Sequence, residues 1–260
     1  MSFEKTVVVV GPTASGKTGV AIRIAKEIER RAKESADGAY CGFKGAEVIS
    51  ADSRAIYRGM DIGTAKPSVE EQQGIRHWGI NLVEPGERFT VADWKNYAEE
   101  KIIEIKERGN LPMVVGGTGL YVDALVYDYQ FGEEKKLTQD DRRGDCTKFL
   151  LIGVKTDPEA LRRRITERAD KFFVQELYDE TRMLVGKHKW DTQAMKSNIY
   201  QFAWGYLSGE ISRERAKELF IYDDWHLAKR QLTWFKRNKN INWLPLVEIE
   251  DFVLKCIQDE

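Results

Sequence analysis

The sequence predicts an α/β fold with a parallel sheet as its core and a helical C-terminal part. Three observations predict it. Thr6–Val10 is an unbroken run of β-branched residues, typical of a parallel strand that is buried on both faces. Short apolar runs of this kind alternate with helical patterns along the chain, which favours right-handed crossovers between parallel strands. No internal repeat or low-complexity tract interrupts the alternation.

In the first half of the chain, strand and helix predictions follow one another closely. Short apolar runs predict the strands, and longer segments with apolar residues on one face predict the helices. After Thr6–Val10 we predict a helix from Lys17 to about Lys33, a strand Glu47–Ser50, a helix from about Val91 to Arg108, a strand Pro112–Val115 and a helix Thr118–Tyr127.

The second half predicts one more strand and mainly helices. Phe149–Val154 is apolar enough for a buried strand, and one long helix is predicted from Pro158 to about Val185. Residues 131–147 are polar and lack clear periodicity, which predicts a loop or small lobe. We therefore divide the chain into the first part of the core (1–130), a short insertion (131–147), and the rest of the core with the helical C-terminal region (148–260).

The composition excludes several classes of protein. The 260 residues carry 41 basic and 42 acidic side chains, so the chain does not coat nucleic acid by bulk charge, although a local basic patch stays possible. No stretch predicts a signal peptide or a membrane span, so a cytoplasmic protein without membrane contact is expected. The three widely spaced cysteines fit neither a disulfide framework nor a metal cluster.

A glycine-rich segment between the first strand and the first helix matches the complete P-loop pattern. Backbone N–H groups of such a loop converge on phosphate oxygens at the N-terminus of the next helix. Lys17 supplies a mobile positive charge, and the hydroxyl of Thr18 is placed to bind a phosphate-bound Mg²⁺. The predicted phosphate-binding residues are Gly11, Pro12, Thr13, Ala14, Ser15, Gly16, Lys17 and Thr18.

The P-loop specifies the fold more closely than the ligand. It predicts a P-loop NTPase-like or kinase-like core that binds a polyphosphate or a pyrophosphate group with magnesium. A kinase, an NTPase and a transferase with a pyrophosphate leaving group all remain open on this motif alone. Ligands of parallel sheets bind beyond the carboxyl ends of the strands, so the P-loop, Asp52 and Gly116–Thr118 are expected on one rim.

Three further segments resemble the tRNA dimethylallyltransferase (IPP transferase) family. They are Ser50–Pro67, with the sequence SADSRAIYRGMDIGTAKP, then Gly116–Tyr121 (GGTGLY) and Ala228–Trp234 (AKRQLTW). The segments occur in the family's order and combine with the P-loop. Members of this family transfer a dimethylallyl group from its diphosphate to N6 of the adenosine next to the tRNA anticodon. The resemblance implies the same reaction here, with dimethylallyl diphosphate and Mg²⁺, on a chain without a protein partner that is expected to be a monomer.

The resemblance also implies catalytic roles. Asp52 would accept the proton of the amine, because a carboxylate can orient and deprotonate a weak nucleophile. Thr118 and Arg168 would act on the departing pyrophosphate, whose charge requires fixed donors and cations. Arg164 lies one helical turn before Arg168 and would share its face. Simpler interpretations stay open: Asp52 as a cap or metal ligand, Thr118 as a helix N-cap, and Arg168 on a solvated helix.

The nucleic-acid side is predicted from the same segments and from charge. Residues 225–247 contain no acidic side chain but five basic ones, which on a helix would form a basic ridge, although a charge run is usually only a solvated face. His77 is assigned a structural hydrogen bond. The residues implied for the tRNA substrate are Asp52, Ser53, Arg54, Ala55, Thr118, Lys229, Arg230, Gln231, Thr233 and Trp234.

The chain departs from the family pattern in one large respect. Family members carry a helical lobe of several dozen residues where this chain has only residues 131–147, so the insertion that grips the anticodon arm is shortened. Prenylation of a free adenine nucleotide is therefore an alternative, since such enzymes lack that lobe. A small-molecule P-loop kinase is a weaker alternative because of the three family segments. A non-catalytic RNA-binding remnant is also weaker, because the P-loop, Asp52 and Thr118 are all present.

Overall fold

A computed structural model of the protein describes residues 3–131 and 146–259. Within them, six strands form one fully parallel sheet in the order β3-β2-β4-β1-β5-β6. The strands are β1 (Thr6–Val10), β2 (Gly45–Ala51), β3 (His77–Trp78), β4 (Asn110–Gly116), β5 (Phe149–Lys155) and β6 (Asn242–Pro245). The predicted α/β class and parallel sheet are confirmed.

The central position of β1 explains its composition. It pairs with β4 on one side and β5 on the other, so that Val7 lies between Met113 and Leu150. All five of its residues are buried, which requires apolar side chains on both faces of the sheet. The predicted strands in β2, β4 and β5 are confirmed, and each observed strand is longer than its prediction at one or both ends.

The helices cover both faces of the sheet and continue into a lobe beside it. They are α1 (Lys17–Glu34), α2 (Val69–Gln72), α3 (Val91–Glu107), α4 (Gly119–Val126), α5 (Pro158–Phe172), α6 (Gln175–Lys187), α7 (Asn198–Leu207), α8 (Arg213–Phe235) and α9 (Ile249–Asp259). Helix α1 and helix α9 pack on one face. Helices α3 and α4 and the end of α8 pack on the other. Helices α5 to α8 build a third apolar cluster with the segment after β2.

The prediction of one long helix over Pro158–Val185 is wrong. The chain leaves the helix at Phe173 and takes an extended conformation at Val174, and α6 begins at Gln175. Phe173 is almost fully buried in the third cluster, and its carbonyl accepts a hydrogen bond from Arg213 Nη2 (2.5 Å). The break is therefore accompanied by a contact with a residue 40 positions away. No glycine or proline near Phe173 indicates it in the sequence.

The expectation of a basic ridge on one C-terminal helix is also partly wrong. Helix α8 ends at Phe235, so Lys229 and Arg230 are helical whereas Lys236, Arg237 and Lys239 follow the helix. The chain then enters β6, a strand that the sequence did not predict, and β6 pairs with the edge of β5. Parallel pairing between segments that are 90 residues apart has no local signature.

The predicted insertion at 131–147 falls almost entirely on residues 132–145, which lie outside the described residues. The strands on either side of it, β4 and β5, both pair with β1, so the parts before and after the insertion belong to one sheet. Of the helices in residues 3–131 and 146–259, none combines the length and the apolar character needed to cross a membrane.

Candidate active site

The P-loop connects β1 to α1 and opens onto a cavity of about 620 Å³ at the carboxyl edge of the sheet. Gly16 has a positive φ of 87°, which glycine adopts without strain, and α1 begins at the next residue. A Cβ on Gly11 would lie 2.9 Å from Ser15 Oγ, so the loop is too tight for a side chain there. The N-terminus of α1 therefore faces the cavity without a side-chain cap, as a phosphate site requires.

Lys17 has the environment of a lysine prepared for an anion. Its Nζ donates a hydrogen bond to the carbonyl of Pro12 (3.1 Å). Burial lowers the pKa of Lys17 to about 8, against the opposing effects of Asp52 and Asp224, and Arg168 lowers it further. The buried ammonium group of Lys17 is poorly solvated, so a bound phosphate would stabilise its charged form.

Two polar atoms at the P-loop fit a phosphate group and its metal ion. The hydroxyl of Ser15 is buried and has no hydrogen-bond partner among the described residues. Thr18 lines the same cavity as Asp52. The described residues contain no cluster of three or more histidine, cysteine or acidic side chains that would hold a metal by themselves. A Mg²⁺ ion at this site would therefore share its ligands between the hydroxyl of Thr18 and the oxygens of a bound phosphate.

Asp52 and Thr118 lie on neighbouring strand ends, as predicted. Asp52 follows β2, and its Oδ1 accepts a hydrogen bond from the N–H of Arg54 (2.8 Å). The hydroxyl of Thr118 accepts from the N–H of Ser53 (3.0 Å) and donates to Ser53 Oγ (3.3 Å). Thr118 is the N-cap residue of α4 by position, but its side chain makes no capping hydrogen bond. Its side chain instead fixes the loop that carries Asp52.

Glycines on both sides of Thr118 allow the end of β4 to lie close to the end of β2 and to α8. The N–H of Thr118 donates to the carbonyl of Ala51 (3.1 Å), which ties the ends of β2 and β4 together. A Cβ on Gly116 would lie 2.1 Å from that carbonyl oxygen, and a Cβ on Gly119 would lie 2.2 Å from the indole of Trp234. Larger residues would separate the two loops that form the rim.

Helix α5 brings two arginines to the P-loop. Arg168 Nη1 donates a short hydrogen bond to Thr13 Oγ1 and lies 3.7 Å from Asp224 Oδ2. Arg164 Nη1 lies 3.4 Å from the carbonyl of Ser15. The spacing of four residues predicted this shared face, and the structure places it against the phosphate-binding loop.

Asp224 is a charged residue of the site that the sequence did not indicate. It lies in α8, is 8% exposed and lines the cavity, and it accepts a hydrogen bond from Thr13 Oγ1 (3.3 Å). Burial raises the pKa of Asp224, whereas Arg168, Thr13 and Lys17 oppose the rise. A usable signal existed: Asp224 is four residues from both Phe220 and Ala228, on the apolar face of α8.

The residues implied for the nucleic-acid side are only partly gathered at the cavity. Trp234 Nε1 donates to Asp123 Oδ2 (2.9 Å), and Lys229 lies over the ring of Trp225. Three of the ten are absent from the cavity lining, namely Lys229, Thr233 and Trp234. The other seven line it, namely Asp52, Ser53, Arg54, Ala55, Thr118, Arg230 and Gln231.

Gln231 spans the site in a way the sequence did not suggest. Its Oε1 accepts from the N–H of Thr13 (2.7 Å), and its Nε2 donates to the carbonyl of Gly117 (3.1 Å). One side chain of α8 therefore connects the P-loop with the loop after β4. His77 makes the expected structural contact, with Nδ1 2.8 Å from the carbonyl of Ile75, and burial lowers its pKa.

The sequence matches the model of a protein family described as IPP transferase. The match falls in two segments, residues 55–147 and 131–238, which together span more than half of the chain. The tRNA dimethylallyltransferase of Acetivibrio thermocellus is 35% identical to the chain, over 95% of the chain and 94% of the relative. That of Bacillus subtilis is 30% identical, over 97% of the chain and 94% of the relative.

Solved structures agree with the sequence comparison. The tRNA isopentenylpyrophosphate transferase of Bacillus halodurans superimposes with a TM-score of 0.82 at 30% identity, over 98% of this chain and 97% of that chain. A eukaryotic dimethylallyltransferase solved acting on tRNA superimposes with a TM-score of 0.75 over 94% of this chain and 74% of that one, and at 19% identity it shows a shared fold. With its P-loop, its rim of strand ends and these relatives, the chain belongs to the IPP transferase family.

Proposed function

We propose that this protein transfers a dimethylallyl group from dimethylallyl diphosphate to N6 of the adenosine next to the anticodon of a tRNA, releasing pyrophosphate. Membership of the IPP transferase family supports the reaction, and relatives at 30–35% identity carry the name tRNA dimethylallyltransferase. The observation that carries the proposal is the cavity, in which the P-loop, Asp52, Thr118 and Arg168 all meet.

In the proposed reaction a C–N bond forms as a C–O bond breaks. The N6 amine attacks the first carbon of the dimethylallyl group, and the bonding electrons of the C–O bond leave with pyrophosphate. Asp52 accepts the proton that N6 loses, since it is a carboxylate on the rim of the cavity. Thr118 keeps Asp52 in place through the N–H of Ser53.

The departing pyrophosphate is stabilised by groups that are fixed before the reaction. Lys17, Arg168 and the N–H groups at the start of α1 provide positive charge and donors at one end of the cavity. Thr18 would hold Mg²⁺ against the phosphate oxygens, where the ion neutralises developing charge. The apolar residues of the lining, among them Ile199, Phe220 and Leu227, suit the prenyl chain.

We further propose that the tRNA is held by the core and the basic C-terminal segment, because the insertion is short. Two observations support a shortened insertion. The family match consists of two segments, residues 55–147 and 131–238, and these overlap over residues 131–147. The alignment with the Bacillus subtilis relative extends over 311 positions although the chain has 260 residues, so the relative contains stretches that this chain lacks.

The test is transfer of labelled dimethylallyl, with Mg²⁺, to unmodified tRNA and separately to AMP. We expect label in tRNA and none in AMP. Asp52→Asn keeps the shape of the side chain but cannot accept a proton, so its transfer rate should fall about 10²–10⁴-fold. Label only in AMP would replace the proposal with prenylation of free adenine nucleotide. Label in neither, with ATP turnover, would indicate a small-molecule kinase or NTPase.

A further inference from the structure

Asp224 is an acidic side chain in a place that is otherwise arranged for an anion. Its Oδ2 lies 3.7 Å from Arg168 Nη1 and 3.3 Å from Thr13 Oγ1, and the carboxylate is 8% exposed. Lys17 of the P-loop is also close enough to interact with Asp224 electrostatically. A buried carboxylate next to a diphosphate would repel it, so its presence needs an explanation.

The contacts of Asp224 provide one. Arg168 has a long side chain with many rotamers. A contact that holds it near the P-loop lowers the entropy that ligand binding would otherwise cost. Thr13 Oγ1 donates to Asp224 and accepts from Arg168, so the three side chains form a closed set of contacts. The guanidinium of Arg168 also lies over the ring of Phe172, 4.8 Å from its centroid.

We propose that Asp224 is the positioning residue of Arg168 and its counter-ion until a diphosphate binds and takes its place. The proposal rests on the proposed function, in which the P-loop and Arg168 bind the diphosphate. Before the diphosphate binds, Asp224 holds Arg168 Nη1 beside Thr13. When the diphosphate enters, its oxygens take over Arg168, and Asp224 keeps only its hydrogen bond to Thr13.

This exchange has a consequence for affinity. Each diphosphate that binds has to replace an existing charge contact, so the negative charge at position 224 weakens binding of both the prenyl diphosphate and the pyrophosphate product. The protein thereby keeps an oriented arginine without binding its product too tightly. Asp224 acts through Arg168 and Thr13, so it is expected to affect diphosphate binding and not tRNA binding.

The decisive variant is Asp224→Asn, which keeps the shape and an acceptor oxygen but removes the charge. Calorimetry with inorganic pyrophosphate and Mg²⁺ should show binding about tenfold tighter than that of the wild type, the order expected for removing one charge within several ångströms in a partly solvated site. In transfer assays the KM for dimethylallyl diphosphate should fall while the KM for tRNA stays unchanged. A role in stability alone would not lower a KM.

Asp223→Asn is the matched control. Asp223 is the neighbouring residue on α8, lines the same cavity and makes its hydrogen bond to Asn198. The change in net charge is identical, so equal tightening in both variants would overturn the proposal in favour of a general electrostatic effect. In an Arg168→Ala background the effect of Asp224→Asn should be smaller than in the wild-type background, because Asp224 no longer competes with the diphosphate for Arg168 and residues in contact are not additive.

The outcomes separate this inference from the proposed function. No pyrophosphate binding by the wild type would overturn both. Binding by the wild type that Asp224→Asn leaves unchanged or weakens would overturn the inference alone. A structure of the wild type with pyrophosphate and Mg²⁺ tests it without any variant: Arg168 should contact a phosphate oxygen and lie farther from Asp224 than 3.7 Å. An Arg168 that remains on Asp224, out of reach of the phosphate, would contradict it.

Discussion

At the scale of single residues, the rim of the cavity depends on side chains that hold other side chains. Thr118 fixes the backbone of Ser53 and thereby the loop of Asp52. Gln231 fixes the P-loop at Thr13. The groups that would touch the substrate are thus held by neighbouring side chains, which keeps the geometry fixed before the ligand arrives.

Thr118→Val tests this dependence. The variant removes the acceptor of the Ser53 N–H at nearly constant volume, and we expect kcat to fall about 10- to 100-fold because a small misplacement of the reacting groups is costly. Thermal unfolding should show a loss of about 1 kcal/mol, the size of one hydrogen bond. Thr118→Ser keeps the hydroxyl and should retain most of the activity. A loss of activity in Thr118→Ser with activity retained in Thr118→Val would show that the methyl group, and not the hydroxyl, matters.

Lys17 gives a prediction of pH dependence. Because burial lowers the pKa of Lys17 to about 8, this group loses its proton as the pH rises through that value, with Asp52, Asp224 and Arg168 as the charged groups around it. A bound anion favours the ammonium form and raises this pKa, so pyrophosphate binding takes up a proton above pH 8 and weakens as the pH rises. Calorimetry between pH 7 and pH 10 measures the decline.

Lys17→Arg serves as the comparison, because arginine stays charged throughout this range. Titration of pyrophosphate itself affects both proteins equally, so the ratio of wild-type affinity to variant affinity should fall as the pH rises through 8. A constant ratio from pH 7 to pH 10 would show that Lys17 does not lose its proton in this window.

At the scale of elements, α8 connects the chemistry to the nucleic-acid side. Asp224 and Gln231 line the cavity, Arg230 is an exposed residue at its edge, and Lys229 is exposed outside the lining. Ala228 is fully buried and packs α8 against Leu161 and Ile165 of α5. A single rigid helix can therefore align a bound tRNA backbone with the site of transfer.

We expect Lys229→Gln with Arg230→Gln to weaken tRNA binding and to reduce its salt dependence. Each lost phosphate contact lowers the slope of log affinity against log salt by about 0.7–0.9, so the double variant should lose about 1.4–1.8. Filter binding over a salt series measures this slope. The pair Lys26→Gln and Lys255→Gln, exposed on α1 and α9 on the other face of the sheet, is the control. The same loss in the control pair would indicate bulk charge.

At the scale of the whole molecule, the described surface favours a protein that acts alone. Its four most exposed apolar side chains lie on different elements: Val69 in α2, Ile103 in α3, Tyr222 in α8 and Val247 after β6. Interfaces of stable dimers are usually continuous apolar patches. We therefore expect sedimentation velocity to give the mass of one chain, and a complex of one chain with one tRNA. A dimer that persists on dilution would contradict this.

The sequence was most informative where a function required a fixed local pattern. The P-loop residues must be consecutive to wrap one phosphate, so Gly11–Thr18 could be identified with the strand and helix around it. Asp52 and Gly116–Thr118 follow buried strands, and parallel strands end on one rim, so their meeting was predictable. Arg164 and Arg168 were placed together by helical spacing, and the structure adds that they face the P-loop.

Tertiary structure alone decided the features that depend on distant partners. The break at Phe173 comes from burial against the helical lobe and a contact with Arg213. Strand β6 exists because β5 offers it an edge. Asp224 became a member of the site because α8 packs against α5 and the P-loop, more than 200 residues away from Thr13 along the chain. Local pattern thus determined the motif, the sheet and the rim, whereas long-range packing decided which charge holds Arg168, because that contact exists only once the chain has folded.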